Sequence, residues 1–318
     1  NCGEFFVKIG FFSEAGHEGK VPRNHPNART DIAWQIALEA THHPIPKLWQ
    51  LPDNTYDIGI MIMPKSKQSL VDRGEELLQQ YKRVCKKVLM MQESYYNYWQ
   101  DDPVDWQVWY YNFVVEMDVI LCHNDGDVIY YQGLSGKRAE VMPSLMITDG
   151  LVPKEKWGES VILGGNFVLA YGGFDSYIVA SQLSDDIHAP STGRMPKLEK
   201  QMPIRHTPWL MWREWMGYLS QFNAGVQLGT PSAGTFNLNH AFHGTPCIGY
   251  SNVNTQKLLH PLTTVEPGDI ESAKDKADKL KDDKFYELCV KTMKQRYDLY
   301  YSEDAFIKHM GKIFESLL

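Results

Sequence analysis

Short unbroken apolar runs alternate along this chain with longer segments that place an apolar residue every three or four positions. The first pattern predicts buried strands and the second predicts amphipathic helices. Phe5 to Phe12 reads as a strand, and so do Tyr56 to Met63, Lys87 to Met91, Asp118 to His123 and Ala139 to Met142. Helical spacing fills the gaps at Ile32 to Ala40, Val71 to Cys85, Pro103 to Glu116 and Asp125 to Gly133. Thr30 or Asp31 can cap the first of these helices. Strand and helix in regular turn predict a parallel sheet with right-handed crossovers. The long polar loop Ser13 to Asn27, with Gly16, Gly19, Pro22 and Pro26, interrupts the rhythm once. A loop of that length in a compact domain usually carries function.

The pattern breaks again over Ile147 to Glu159, where Gly150, Pro153 and the charged run KEKWGE read as a linker, and then restarts. Strands are expected at Ser160 to Leu163, Asp186 to Pro190, Ile204 to Thr207, Ala224 to Gly229, Thr245 to Gly249 and Thr263 to Glu266. Helices are expected at Gly172 to Leu183, Trp212 to Phe222 and Asn254 to Leu259. From Asp269 onward the chain reads as helical throughout: Ile270 to Lys281, Asp283 to Tyr300 and Ser302 to Leu317. The most informative stretch is Gly229 to Gly249, GTPSAGTFNLNHAFHGTPCIG. Small residues and turn formers lead to a helix that opens at Thr235 and closes at Gly244. A glycine-containing loop feeding a helix start leaves unpaired N–H groups and a positive dipole end, a geometry that suits a phosphate.

That stretch resembles the donor-binding segment of GT-B glycosyltransferases. Retaining members of the family carry two Glu there, ahead of a Gly-x-Pro. The matching positions here are Ser232 and His240, so both acids are missing while Gly244-Thr245-Pro246 is kept. The second Glu normally holds the ribose hydroxyls, a role that Asn237, Asn239 or His240 would have to take. The front of the chain, KIGFFSEAGHEGKVPRNHPNARTDIAW, resembles bacteriophage-type members of the same group. The resemblance implies an α/β fold of two Rossmann-like domains facing a cleft, with C-terminal helices crossing back to the first. Residues 1–150 would be the acceptor domain, 151–300 the nucleotide-sugar donor domain, and 301–318 a helix packed on the N-terminal domain. It also implies transfer of a sugar from a UDP-glucose-like donor to an acceptor hydroxyl, with no tightly bound cofactor. For the phage-type members that acceptor is a 5-hydroxymethylpyrimidine in double-stranded DNA. A glycan acceptor, a GT-B-like epimerase or phosphorylase, and a nucleotide-sugar binding protein without catalysis are the rivals.

Composition narrows this modestly. A length of 318 residues and a 43% hydrophobic content suffice for two cores. A net charge of −7 speaks against a protein coated in basic surface, although a local basic groove is compatible with it. The five cysteines have no CxxC spacing, which fits reduced thiols in a cytoplasmic setting, the host cytoplasm if a phage encodes the protein. Asn1-Cys2-Gly3-Glu4 carries neither a basic leader nor a long apolar run, so no signal peptide is expected there. No apolar run approaches the roughly 20 residues of a membrane span.

Sugar transfer requires a neutralised diphosphate, a seat for the nucleobase and a group that takes the acceptor proton. The backbone of Gly234, Thr235 and Phe236 with the Arg194 guanidinium are the candidates for the diphosphate, with Gly165, Asn166 and Asn239 beside them. Backbone near His206 can read a base edge, with Pro208 or Trp209 over its face. Glu93, after the KVLMM strand, is the candidate general base and Asp31 its alternative. His17, Lys20, Arg23, His25 and Arg29 make the first loop locally basic and form the candidate acceptor surface, including for DNA phosphates. No metal is expected: HExxH and paired CxxC are absent, and Asp125-Gly126-Asp127 opens a helix.

Overall fold

The computed structural model describes residues 7–64, 68–92, 94–153, 158–190 and 199–318. Among them lie two parallel six-stranded sheets in an α/β arrangement. The chain divides into two compact units. One holds Asn1–His25, Asp31–Pro143 and Phe306–Leu318, and the other holds Pro26–Thr30 and Ser144–Ala305.

In the first unit the strands are β1 (Ile9–Ser13), β2 (Thr41–Pro44), β3 (Tyr56–Met63), β4 (Cys85–Gln92), β5 (Val119–Cys122) and β6 (Ala139–Val141). They run parallel in the order β2-β1-β3-β4-β5-β6. The helices are α1 (Thr30–Ala37), α2 (Gln68–Val71), α3 (Gly74–Val84), α4 (Val104–Val114) and α5 (Asp125–Ser135). β3 and β4 are nearly continuous apolar runs because helices cover both faces of a parallel sheet. Asn124 and Asp127 close a capping box at the start of α5, which explains why the D-G-D letters mark a helix start. The expected first strand covers Phe5 to Phe12. The described strand starts at Ile9, and residues 5 and 6 lie outside the described ones. Four large side chains of the chain's last helix, Glu303–Glu315, are buried: Phe306, Met310, Ile313 and Phe314. His309 Nε2 donates to the Val141 carbonyl at 2.6 Å within this unit.

The second unit has β7 (Ser160–Leu163), β8 (Ile187–Pro190), β9 (Arg205–Thr207), β10 (Phe222–Gln227), β11 (Cys247–Tyr250) and β12 (Thr264–Val265). Their order is β12-β11-β10-β7-β8-β9, again all parallel. Between and after them come α6 (Gly173–Ala180), α7 (Trp212–Leu219), α8 (Thr235–His243), α9 (Asn254–Leu259), α10 (Ile270–Lys279) and α11 (Asp283–Tyr300), and the last helix is α12. The five-residue limb Pro26–Thr30 is stitched into this unit by backbone bonds: Thr30 N–H to Leu145 O (2.9 Å), Ile147 N–H to Ala28 O (2.9 Å) and Arg213 N–H to Pro26 O (3.1 Å). The four described cysteines are free and buried. Among the described residues no helix is long and apolar enough to cross a membrane.

Candidate functional site

From β7 the chain builds β8 and β9 on one side, then returns to lay β10, β11 and β12 on the other. β7 and β10 are therefore neighbours whose following loops part in opposite directions. Ligands of open α/β sheets bind in the crevice outside the strand ends at such a point. The two loops are tied together at their roots, where Thr230 gives both its N–H and its hydroxyl to the Ala170 carbonyl, each at 3.1 Å. Gly172 takes a left-handed backbone (φ 56°) against Leu228, and a Cβ there would stand 1.8 Å from the Leu228 carbonyl oxygen.

A cavity of about 370 Å³ opens at this crevice, within the usual range for a small-molecule site. Its floor is Gly164 and Gln227 at the strand ends. One wall is the start of α8, from Ser232 to Phe236, with Asn239 one turn on. Most of the remaining lining is aromatic and apolar: Tyr171, Pro208, Trp209, Trp212 and Trp215. Trp209 is 70% exposed, which is unusual for so large an apolar surface and is expected where a flat ligand covers it. Arg29, carried in by the Pro26–Thr30 limb, also lines the cavity.

α8 starts where it does because Gly234 sits in the left-handed region (φ 67°) and turns the loop into the helix. The Gly234 N–H already donates to Ser232 Oγ at 3.2 Å, so the donors left at this helix start are the amides of Thr235 and Phe236, which have no acceptor within the helix. Gly244, also left-handed (φ 69°), ends α8, with Gly244 N–H on Ala241 O and Thr245 N–H on His240 O. Between these caps the helix is buried on nearly all sides.

The sequence candidates separate clearly. Gly234, Thr235, Phe236, Asn239 and Pro208 line the cavity. Gly165, Asn166 and His206 are not among its lining residues. The Asn166 amide and the His206 ring instead meet Glu199, a buried carboxylate, at 3.5 Å and 2.8 Å. Asn237 and His240 point into the protein: Asn237 Nδ2 donates to Gln256 at 2.6 Å, and the His240 Nδ1 bonds the Phe236 carbonyl at 2.9 Å. The helical position that faces the cavity is thus Asn239, one residue before the position matched by sequence to the second Glu. Arg29, expected on the acceptor surface, belongs to the cavity of the second unit. Arg194 and Glu93 lie outside the described residues.

The first unit gathers a second set of polar groups at the ends of its strands. His42 on β2 is fully buried and stacks on His17 with ring centres 3.9 Å apart. Its Nδ1 faces the His17 carbonyl at 2.7 Å, an atom that can only accept, so Nδ1 carries the proton and Nε2 accepts from the Ser13 hydroxyl at 2.8 Å. Burial pushes the His42 ring down to about 4, against the opposing pull of the His17 carbonyl. His17 Nε2 meets Gln35 Oε1 at 3.0 Å, and Lys20 is exposed beside Glu39. Arg23 is exposed and His25 half-buried. Asp31 stands half-buried in the first turn of α1. His123, just past β5, was missed by sequence reasoning. Burial lowers it to about 4, its Nδ1 has no hydrogen-bond partner, and its ring lies 5.8 Å from Trp34. Among the described residues no group of three or more His, Cys, Asp or Glu is placed to hold a metal ion.

Comparison with solved structures places this architecture. Sucrose-phosphate synthase from Thermosynechococcus elongatus matches with a TM-score of 0.68 at 11% identity, over 98% of this chain and 99% of the other. HepE from Anabaena in complex with UDP-glucose matches with a TM-score of 0.69 at 10% identity, over 98% and 100%. The likeness is one of fold. An alpha-glucosyltransferase in complex with UDP and a 13-mer DNA containing a HMU base matches at 0.62 and 14% identity, over 97% and 99%. The fold is therefore the GT-B one expected from the sequence, spanning essentially the whole chain. No protein-family model matches the chain, and no curated protein sequence does.

Proposed function

We propose that the protein is a glycosyltransferase that binds a nucleotide-sugar, of the UDP-sugar kind, at the β7/β10 crevice and passes the sugar to an acceptor hydroxyl. The observation that carries this reading is the pairing of walls in one cavity. The Thr235 and Phe236 amides and the Arg29 guanidinium offer donors to a diphosphate, and Trp209 with Pro208 offers a flat apolar face to a base. Two of the proteins with this fold were solved with UDP or UDP-glucose. Arg194 is the further candidate cation. No tightly bound cofactor or metal enters the reading.

For the acceptor we favour a 5-hydroxymethylpyrimidine in duplex DNA and a phage-encoded enzyme working in the host cytoplasm. Its support is the resemblance of residues 8–34 to phage-type members and the like-folded alpha-glucosyltransferase that holds DNA. Lys20 and Arg23 are exposed on the first loop and add to its local basic character. Glu93 is the proposed general base and Asp31 its alternative.

Titration calorimetry with UDP and UDP-glucose tests the donor site, with Arg29→Ala expected to weaken both by roughly tenfold or more, the worth of one charge-assisted contact. Incubation with UDP-glucose and duplexes carrying 5-hydroxymethyluracil or 5-hydroxymethylcytosine, read by nucleoside mass, tests the acceptor. A gain of one hexose that falls with rising salt and vanishes in Glu93→Gln is the expected result. Transfer to a glycan primer alone would overturn the DNA acceptor, and absence of any nucleotide-sugar binding would overturn the transferase reading.

A further inference from the structure

The start of α7 is closed by residues from a distant part of the chain. Met211 stands at its N-cap with a thioether, a weak acceptor where Ser, Thr, Asp or Asn is usual. The limb Pro26–Thr30 brings what Met211 lacks. Trp212 N–H donates to Asn27 Oδ1 at 3.0 Å, across 185 positions of sequence, and Arg213 N–H donates to the Pro26 carbonyl at 3.1 Å. Two of the backbone donors that a helix start leaves without an intrahelical partner are met in this way. A backbone N–H can only donate, so the Asn27 amide must turn its oxygen to Trp212, and its Nδ2 then lies 3.9 Å from Met211 Sδ.

Asn27 is not among the residues that line the cavity, yet it is bonded to residues that are. Its own carbonyl accepts Arg29 N–H at 2.7 Å. Trp212, whose amide it caps, passes its indole N–H on to Asn239 Oδ1 at 3.3 Å. Arg29, Trp212 and Asn239 belong to three separate elements, the limb, α7 and α8, and all three line the cavity. Arg29 is exposed, so its reach to the cavity is set by the backbone that carries it. Asn27 stands where that backbone is fastened to α7.

We propose that Asn27 is a positioning residue for this cavity: by capping α7 it seats the limb and so holds Arg29 where an anionic ligand meets it. The inference rests on the reading of the cavity as the nucleotide-sugar site, with Arg29 as one of its cations. Seating and binding are then linked. A ligand held by Arg29 favours the seated limb, and the seated limb favours the ligand by the same factor.

The test uses the full chain, with UDP as the probe. Titration calorimetry of Asn27→Ala is expected to show UDP binding weakened about fivefold, the worth of one neutral hydrogen bond. In an Arg29→Ala background the same change should do almost nothing further, because the two residues act through one contact. Asp282→Ala is the control for cap loss as such. Asp282 is exposed, lines no part of this cavity and caps α11 by accepting from Phe285 N–H at 2.8 Å, so its loss should leave UDP affinity at the wild-type value. An Asn27→Ala protein that binds UDP as tightly as wild type overturns the inference. So does a loss that repeats in full in the Arg29→Ala background, or one that Asp282→Ala matches. Hydrogen exchange gives an answer even where Asn27→Ala does not fold. In the wild-type chain UDP should slow exchange at the Trp212 and Arg213 amides, and in Arg29→Ala saturated with UDP it should not. No slowing in wild type, or equal slowing in both proteins, overturns the role given to Asn27 while the donor site stands. A wild-type chain that binds no UDP overturns the nucleotide reading itself, and the inference with it.

Discussion

At Gly234 the structure changes the reason a residue is needed. Its place before a helix start suggests that a side chain would crowd an approaching phosphate. The geometry shows that a side chain would first meet the protein, since a Cβ would lie 1.8 Å from Thr255 Oγ1, the hydroxyl that donates to the Gly234 carbonyl at 2.8 Å. Gly136 is a useful control. It shares the left-handed backbone (φ 65° against 67°), but a Cβ there meets nothing within 4 Å. Backbone strain alone costs an L-residue about 1–2 kcal/mol in this region. Gly136→Ala should lose about that much in urea unfolding, and Gly234→Ala clearly more, on the order of 3 kcal/mol, because Thr255 must also move. Equal losses at the two sites would show that the contact with Thr255 is relieved without cost. The same scale explains how far the candidate site could be read in advance. The α8 start was legible because a glycine-rich loop before a helix has one physical meaning. The choice between Asn239 and His240 was not, because a one-residue step turns a side chain by about 100° around a helix. Only the observed bond of Trp212 to Asn239 fixes which one faces the cavity. Arg29 was legible as a cation and illegible as a lining residue of this cavity, since Leu145 and Ile147, which bond its chain neighbours Thr30 and Ala28, lie more than a hundred positions away in the chain.

Among the elements, α8, α9 and β11 are locked by one histidine. His260, almost fully buried, accepts from Cys247 N–H through Nδ1 at 3.1 Å, and its Nε2 proton goes to the Asn237 carbonyl at 2.9 Å. Both nitrogens are engaged in the neutral form, and burial pushes the ring from 6.5 down to about 4. The unfolded chain therefore takes up this proton first. The stabilisation is complete above about pH 6.5 and is lost as pH falls through that value towards about 4. His42 and His123 are lowered to about 4 by burial as well, so their contributions have the same sign and share the window. The urea midpoint should fall steeply between pH 6.5 and 4.5, and His260→Leu should be less stable at pH 7 yet show a shallower decline. A flat wild-type profile over that interval would contradict neutral burial of these rings. Legibility differs between elements for similarly local reasons. β3, β7, α9 and α11 match their sequence readings to the residue; the two strands are largely apolar runs and α11 is a long periodic helix, while α9 is a short polar one. β2 was invisible, since Thr41-His42-His43-Pro44 is short, polar and an edge strand paired only with β1.

At the level of the whole molecule, the two units do not correspond to two uninterrupted halves of the chain. Pro26–Thr30 leaves the first unit to join the second, and Phe306–Leu318 returns from the second to the first. The return has a sequence cause. Phe306, Met310, Ile313 and Phe314 recur at helical spacing and form one buried stripe of α12. Two polar bonds fix its register within the first unit, from His309 to the Val141 carbonyl and from Arg138 to Ser316 Oγ, each at 2.6 Å. Covering four such side chains is worth about 2 kcal/mol apiece before entropy is counted. A chain ending at Ala305 would therefore lose a part of the first unit's core while its second unit keeps every strand of its own sheet. Limited proteolysis of that truncation should cut first within residues 31–143 and leave a resistant fragment covering 144–305. Thermal unfolding should separate into an early and a late step. Phe306→Ala together with Phe314→Ala should move the early step the same way, to a smaller extent, in a chain of full length. A truncated protein whose residues 31–143 resist protease as well as the full chain does would show that α12 adds nothing to that unit's stability, and would remove the physical reason for the chain to cross back.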